Sequence, residues 1–253
     1  MMIEIPTHYI ELERIYAATF SRERRAVAVV STYPGEGVSS VVMALAKRNI
    51  QAGRSTLVVD FNLHSPLLST QAQARAPRFN RLKLSVPTYS AKQLVHAPIN
   101  FKSCTSIIPV ADKLSILAGP ATREAMLRMR EPEMLRSKVK QWLKQFDVVI
   151  FDTSPVSLNN GGNLPPELVA SACDGAILTV LAGQTTTTAL SNTLNKLQSA
   201  EVLLLGSVIN DQYNPTLRDE LVRKLNFIGK ISPWLARKLK DKIMRNNLLA
   251  LEI

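Results

Sequence analysis

Five runs of almost uninterrupted apolar residues set the rhythm of this chain: Ala26–Val30, Thr56–Asp60, Asp147–Asp152, Ala176–Leu181 and Val202–Ile209. Each has the length of a strand and is apolar on every side, which is the signature of a strand buried on both faces of a parallel sheet. Between them the spacing changes to that of helices. Ile10, Leu12, Ile15, Tyr16 and Phe20 recur with charges between them, and Val41, Val42, Leu45, Ala46 and Ile50 form a second stripe. Pro132–Phe146 and Thr186–Ser199 read as two more helices, and Ser115–Leu117 as a short strand before Gly119 and Pro120. Strand runs alternating with helices predict an α/β fold: a doubly wound, mostly parallel sheet with helices on both faces. Residues 69–113 are broken by Pro77, Pro87, Pro98 and Pro109 and offer one short helix, around Ser90–His96. The expected organisation is a lead-in helix over residues 1–25, a main domain over 26–231 and a C-terminal segment over 232–253.

Composition narrows the class. A chain of 253 residues that is 46% hydrophobic suits one large α/β domain with a substantial core. No stretch of about 18 uncharged apolar residues is present, so no transmembrane helix is expected. The opening residues carry Glu4, Glu11 and Glu13 and no apolar segment, which argues against a signal peptide. Cys104 and Cys173 have no CxxC partner, so neither a disulfide framework nor a zinc site is expected, and a reducing cytoplasm fits. The net charge of +11 favours anionic partners: anionic lipid, nucleic acid or nucleotide phosphate. The excess is uneven. Leu68–Ala111 contains no acid but holds Arg75, Arg78, Arg81, Lys83, Lys92 and Lys102, and Arg223–Arg245 is strongly basic around Asp241 alone.

Candidate chemistry collects where such sheets bind ligands, beyond the carboxyl ends of the strands. Pro34, Gly35, Glu36, Gly37, Val38, Ser39 and Ser40 lie between the first strand and the helix after it. A glycine loop opening a helix aims backbone N–H groups and the positive helix end at phosphate. Asp60 ends the second strand, Asp152 the third and Asn210 the fifth. A serine at the helix start and strand-end carboxylates are the groups that hold Mg²⁺ and orient water. The full phosphate-loop pattern is GxxxxGK[ST], and the present loop matches it except for the lysine.

The ordered motifs resemble the bacterial tyrosine autokinases of exopolysaccharide export, a branch of the ParA/Min P-loop ATPase superfamily. The family loop PGEGKS is matched by Pro34–Ser39 except at Val38. The family pattern DxDLRxP is followed by Asp60–Pro66, with Asn62 and His64 substituted. The pattern YDYVIIDTPP is close to Phe146–Pro155, and the stretches Ala172–Thr186 and Leu205–Asp211 match as well. The resemblance covers roughly residues 10–212. It implies that Gly35, Glu36, Gly37, Val38, Ser39, Ser40 and Asn210 contact ATP or ADP, with Asn210 near the base. It implies Ser39, Asp60 and Asp152 as Mg²⁺ ligands, and Asp60 and Asp152 as the catalytic acids of an active enzyme. Glu11 and Arg14 echo a family helix used in subunit contact, which implies a homo-oligomer. The implied partner is a membrane-spanning polysaccharide chain-length protein.

The departures are as informative. Val38 stands where a lysine neutralises the β- and γ-phosphates, Asn62 replaces a second acid, and no tyrosine follows Tyr213. A nucleotide-binding regulator of weakened or absent kinase activity is therefore expected. Two alternatives stay open: a ParA/Min-type positioning ATPase acting on membrane or nucleoid, and an active ATPase with a cation supplied from elsewhere, such as Lys47, Arg54 or a second subunit. For the first of these, Ser232 and Pro233 open a helix whose Trp234, Leu235, Leu239 and Ile243 form an apolar face among basic residues. That pattern suits the surface of an anionic membrane on the cytoplasmic side, or docking on the chain's own domain.

Overall fold

A computed structural model describes residues 5–20, 24–63, 66, 68, 107–120, 122–158 and 160–212. The C-terminal segment with Trp234, Leu235, Leu239 and Ile243, the boundary at 231/232 and the helix expected at Ser90–His96 lie outside the described residues. Met1–Asn210 forms one compact unit.

Seven strands make one sheet: β1 (Ala26–Ser31), β2 (Thr56–Phe61), β3 (Ile107–Ala111), β4 (Leu114–Ala118), β5 (Val148–Thr153), β6 (Gly175–Leu181) and β7 (Leu204–Asn210). Their order is β3-β4-β2-β5-β1-β6-β7. All neighbours run parallel except β3, which pairs antiparallel with β4 through a tight turn at Asp112 and Lys113. The described helices are α1 (Ile10–Thr19), α2 (Val38–Gln51), α3 (Arg123–Met129), α4 (Pro132–Trp142), α5 (Pro166–Ser171) and α6 (Thr187–Ser199).

The central strands are apolar throughout because both faces are covered. Alternate residues of a strand point to opposite sides. Ala28, Val30, Val59, Phe61 and Phe151 pack with Met126, Leu135, Trp142, Val169 and Leu197 of α3–α6. Val27, Val29, Val58 and Ile150 pack on the other side, with Leu12 of α1 and Val38, Val41, Val42 and Leu45 of α2. Phe61, Phe151 and Trp142 form a tilted aromatic group, with ring centroids 5.6 and 6.1 Å apart. α1 is fixed to α2 by the Glu13–Arg48 ion pair, and the Arg48 guanidinium stacks 4.5 Å from the Tyr16 ring centroid. That pair holds the Glu13 carboxyl below the usual carboxylate range.

Several boundaries differ from those the sequence predicts. α2 begins at Val38, three residues before the first residue of its expected stripe, and the expected helix over Pro132–Phe146 stops at Trp142. β3 was not expected, because Pro109 interrupts it. Among the described strands it lies at the edge of the sheet, with alternating exposure, the position where a sheet tolerates proline. α3 and α5 are short, with seven and six residues, and were also not expected. Among the described strands β7 is the last in the order, and it is not covered on both faces: Leu204 is 39% and Ile209 is 70% exposed.

At the amino end of the sheet, polar groups tie the strands together. Asp174 Oδ2 accepts from the N–H groups of both Arg25 and Ala26, each at 2.7 Å. The Arg25 guanidinium reaches the carbonyls of Leu143, Phe146 and Asp147. Asp147 Oδ2 accepts from the N–H and hydroxyl of Ser55, which holds its carboxyl below the usual range. Ala26 is fully enclosed, so removing its acceptor strands a buried donor. Asp174→Ala is therefore expected to lower stability by about 1–3 kcal/mol. Urea denaturation should show a lower midpoint with an unchanged slope.

Candidate functional site

The predicted residues converge at the carboxyl end of the sheet. Strand order and register decide which of them meet. β2 and β5 are neighbours, and Asp60 is the register partner of Asp152. β5 also neighbours β1, so the loop that leaves β1 passes beside Asp152. Both aspartates are fully buried.

The phosphate-type loop runs from Thr32 to Gly37 and ends where α2 begins. Gly35 and Gly37 have φ values of +85° and +97°, a left-handed backbone that favours glycine. A Cβ on Gly37 would also stand 2.9 Å from Asn210 Nδ2. The first hydrogen bond of α2 runs from Val41 N–H to Gly37 O, at 3.0 Å. The N–H groups of Val38, Ser39 and Ser40 precede it, at the positive end of the helix. Ser39 and Ser40 are partly exposed there.

Ser39 Oγ donates to Asp152 Oδ2 at 2.6 Å. Asn62 also donates to Asp152. The residue that takes the place of an expected second acid therefore serves the acid that remains. Burial is the main force pushing the Asp152 carboxyl up, to about 8; the Asp60 charge adds to it, and the bonds from Ser39 and Asn62 oppose it. Asp152 Oδ1 is buried without a hydrogen-bond partner among the described residues. A buried, unsatisfied carboxylate oxygen beside a second carboxylate and a hydroxyl is a donor set for a hard cation, and Mg²⁺ fits it. Among the described residues no group of three or more His, Cys, Asp or Glu side chains converges, so phosphate oxygens or water would have to complete such a shell.

Glu36 and Asn210 are both tied into the loop by hydrogen bonds. The Glu36 carboxylate is 1% exposed and turns inward. It accepts from Thr32 N–H at 2.7 Å and from the Thr185 hydroxyl. Asn210 Nδ2 donates to the Glu36 carbonyl at 3.3 Å, so Asn210 is engaged with the loop itself. Neither the Glu36–Thr185 bond nor the Asn62–Asp152 contact is legible from the loop motif, since the partners lie far apart in sequence.

Val38 is 7% exposed and packs in the core beneath the loop. The suggestion that Lys47 or Arg54 replaces the missing cation is corrected by the topology. Lys47 lies nine residues into α2, about 13 Å along its axis from Val38, and lines a groove with Ile5, His8 and Gln51. Arg54 precedes β2 at the amino end of the sheet and stacks near Tyr16. Glu11 and Arg14 are both exposed on α1. Among the described residues, no helix is long and apolar enough to cross a membrane.

No protein-family model matches the chain. It is 25% identical over 201 residues to Tyrosine-protein kinase YwqD of Bacillus subtilis (strain 168), covering 76% of this chain and 75% of that protein. It is 23% identical over 189 residues to Tyrosine-protein kinase CpsD of Streptococcus agalactiae, covering 75% and 76%. Among solved structures, the kinase domain of Escherichia coli tyrosine kinase ETK matches with a TM-score of 0.54 at 16% identity, over 83% of this chain and 81% of that one. A cobyrinic acid a,c-diamide synthase from Mycobacterium smegmatis, with bound ADP and magnesium, matches with a TM-score of 0.52 at 20% identity, over 73% of each chain. The structural likenesses show the fold. The sequence matches make the chain a distant homologue of bacterial tyrosine autokinases.

The buried acid pair yields a pH prediction for the free protein. Asp152 keeps its proton in the folded state up to about 8, whereas the unfolded carboxyl loses it near 3.8. Between those values the folded state binds more protons, so this contribution to stability is full below pH 3.8 and declines as pH rises toward 8. Asp152→Asn, which keeps an acceptor for Ser39 and carries no charge, should not show the decline. Thermal melts without divalent cations are expected to show the variant gaining on the wild type steadily across that window.

Proposed function

We propose that this chain is a nucleotide-binding regulator, related to the cytoplasmic kinase component of polysaccharide export systems and weakened in catalysis. One observation carries the reading. The loop, Ser39, Asp60 and Asp152 stand together at the carboxyl end of the sheet, while the residue at the lysine position is a buried valine.

In this reading Gly35 and Gly37 let the backbone approach the phosphates, and the N–H groups at the start of α2 face them. Ser39 Oγ, Asp152 and Asp60 would hold Mg²⁺, which when bound supplies positive charge against the phosphate oxygens. Asp60 and Asp152 are also the groups able to orient a water or an acceptor hydroxyl at the phosphate end. Asn62 and Ser39 fix Asp152 by donating to it. Charge on the phosphates is left to the metal and the backbone, because Val38 brings none. That loss weakens ground-state binding, and it weakens stabilisation of the transition state more, where charge moves between oxygens. The output of such a protein is assembly and docking governed by nucleotide occupancy. Its partner, by the same kinship, is a membrane-spanning chain-length protein, and its place is the inner face of the plasma membrane. The Glu11 and Arg14 face of α1 is the candidate contact between copies.

Val38→Lys tests the reading. Restoring a charge-assisted contact should tighten Mg·ATP binding about ten- to a hundredfold, equivalent to roughly 1.5–3 kcal/mol. Calorimetry measures that change, and single-turnover hydrolysis at high protein concentration should show a larger gain. Wild-type turnover equal to that of the lysine variant would sink the idea of weakened catalysis.

A further inference from the structure

A buried carboxylate, Glu36, stands inside the proposed phosphate loop. Glu36 is 1% exposed, and both of its oxygens are engaged. Oε2 accepts from Thr32 N–H at 2.7 Å, and Oε1 accepts from Thr185 Oγ. The second bond runs the same way: the Thr185 hydroxyl donates to Oε1 and itself accepts from Leu181 N–H at 3.2 Å. Both groups facing the carboxylate are therefore donors. A side chain with acceptors at both ends meets them as they stand; an amide, with a donor at one end, forces the Thr185 hydroxyl to turn its proton elsewhere.

The same residue is tied through its backbone. Its carbonyl accepts from Asn210 Nδ2, and the Asn210 carbonyl accepts from Ala182 N–H at 2.8 Å. Thr32 Oγ continues the network to Thr193 Oγ of α6 at 3.0 Å. Glu36 thus joins the end of β1, the β6–α6 connection and the end of β7. A carboxylate here brings no positive charge to an anion; what its bonds contribute is shape. The left-handed Gly35 and Gly37 flank Glu36, and the N–H groups of Val38–Ser40 follow it.

We propose that Glu36 is a positioning residue that holds the phosphate loop in its anion-binding shape without a lysine at position 38. The proposal rests on the nucleotide reading of the site and adds that loop shape and loop charge are set by different residues: Glu36 by its bonds, position 38 by its charge. A lysine at 38 can then raise affinity only while Glu36 holds the loop.

The test is a double-mutant cycle read by calorimetry with Mg·ADP on the full chain: wild type, Glu36→Gln, Val38→Lys and the double variant. Glu36→Gln should weaken binding about tenfold, and the gain from Val38→Lys should largely disappear in its background. A residue that merely stabilised the fold would leave that gain intact. In parallel, hydrogen exchange of the amides of residues 35–40 in the ligand-free protein should speed up in Glu36→Gln, with β1 and β5 unchanged. Thr185→Val should behave like Glu36→Gln, and Thr185→Ser should restore the wild-type pattern. Binding by Glu36→Gln as tight as wild type, or a full lysine gain without Glu36, overturns the proposal. Failure of all four proteins to bind Mg·ADP would sink the nucleotide reading. In that case loop exchange still decides the role of Glu36, and unchanged exchange overturns it.

Discussion

Two carboxyl groups, Asp60 and Asp152, stand opposite each other on neighbouring buried strands, and the rest of the site is arranged around that constraint. Like charges in a dry setting repel strongly, so one must be protonated, bonded or paired with a cation. The free protein keeps Asp152 protonated up to about 8 and gives it donors from Ser39 and Asn62. The register that places the pair is itself fixed by the sheet. β5 is held between β1 and β2, and its residues alternate into two helix-covered faces, so a slip of one residue would turn Asp152 and Phe151 to the wrong sides.

The neighbouring loop solves a different problem. Phosphate binding needs backbone N–H groups in a fixed concave arrangement, and it needs positive charge. The proposal assigns the first to Gly35, Gly37 and the inward-turned Glu36. The second is not carried by residue 38, whose side chain fills the core with Val41 and Val42 instead. In the function proposed above, nucleotide governs shape and docking more than chemistry. The division also makes a bound cation more important than in a loop that carries its own lysine.

Much of this was legible in the sequence. The runs at 26–30, 56–60 and 147–152 became β1, β2 and β5 because a strand covered on both sides has to be apolar throughout. The loop and the strand-end acids could be placed for the same reason. The edges could not. β3 carries Pro109 and alternating exposure, so it lacks the continuous run that marks a central strand. β7 has that run yet has one neighbour among the described strands, because hydrophobicity does not reveal how many neighbours a strand has. α3 and α5 are too short for their spacing to show. Within the site, the partner that defines Glu36 is Thr185, 149 positions away, and no local motif announces such a bond. The misplaced expectation for Lys47 and Arg54 has the same origin. Proximity in sequence to the loop says nothing about which end of the sheet a residue occupies.

The measurement that tests the central claim most directly is the amount of Mg·ADP held per folded chain, read by native mass spectrometry over increasing Mg²⁺. A preformed cradle that relies on a metal at Ser39 and the acid pair predicts one nucleotide per chain, with occupancy that rises with Mg²⁺ and falls when Asp152 is replaced by Asn. A folded protein that takes up no nucleotide at any Mg²⁺ concentration would contradict it.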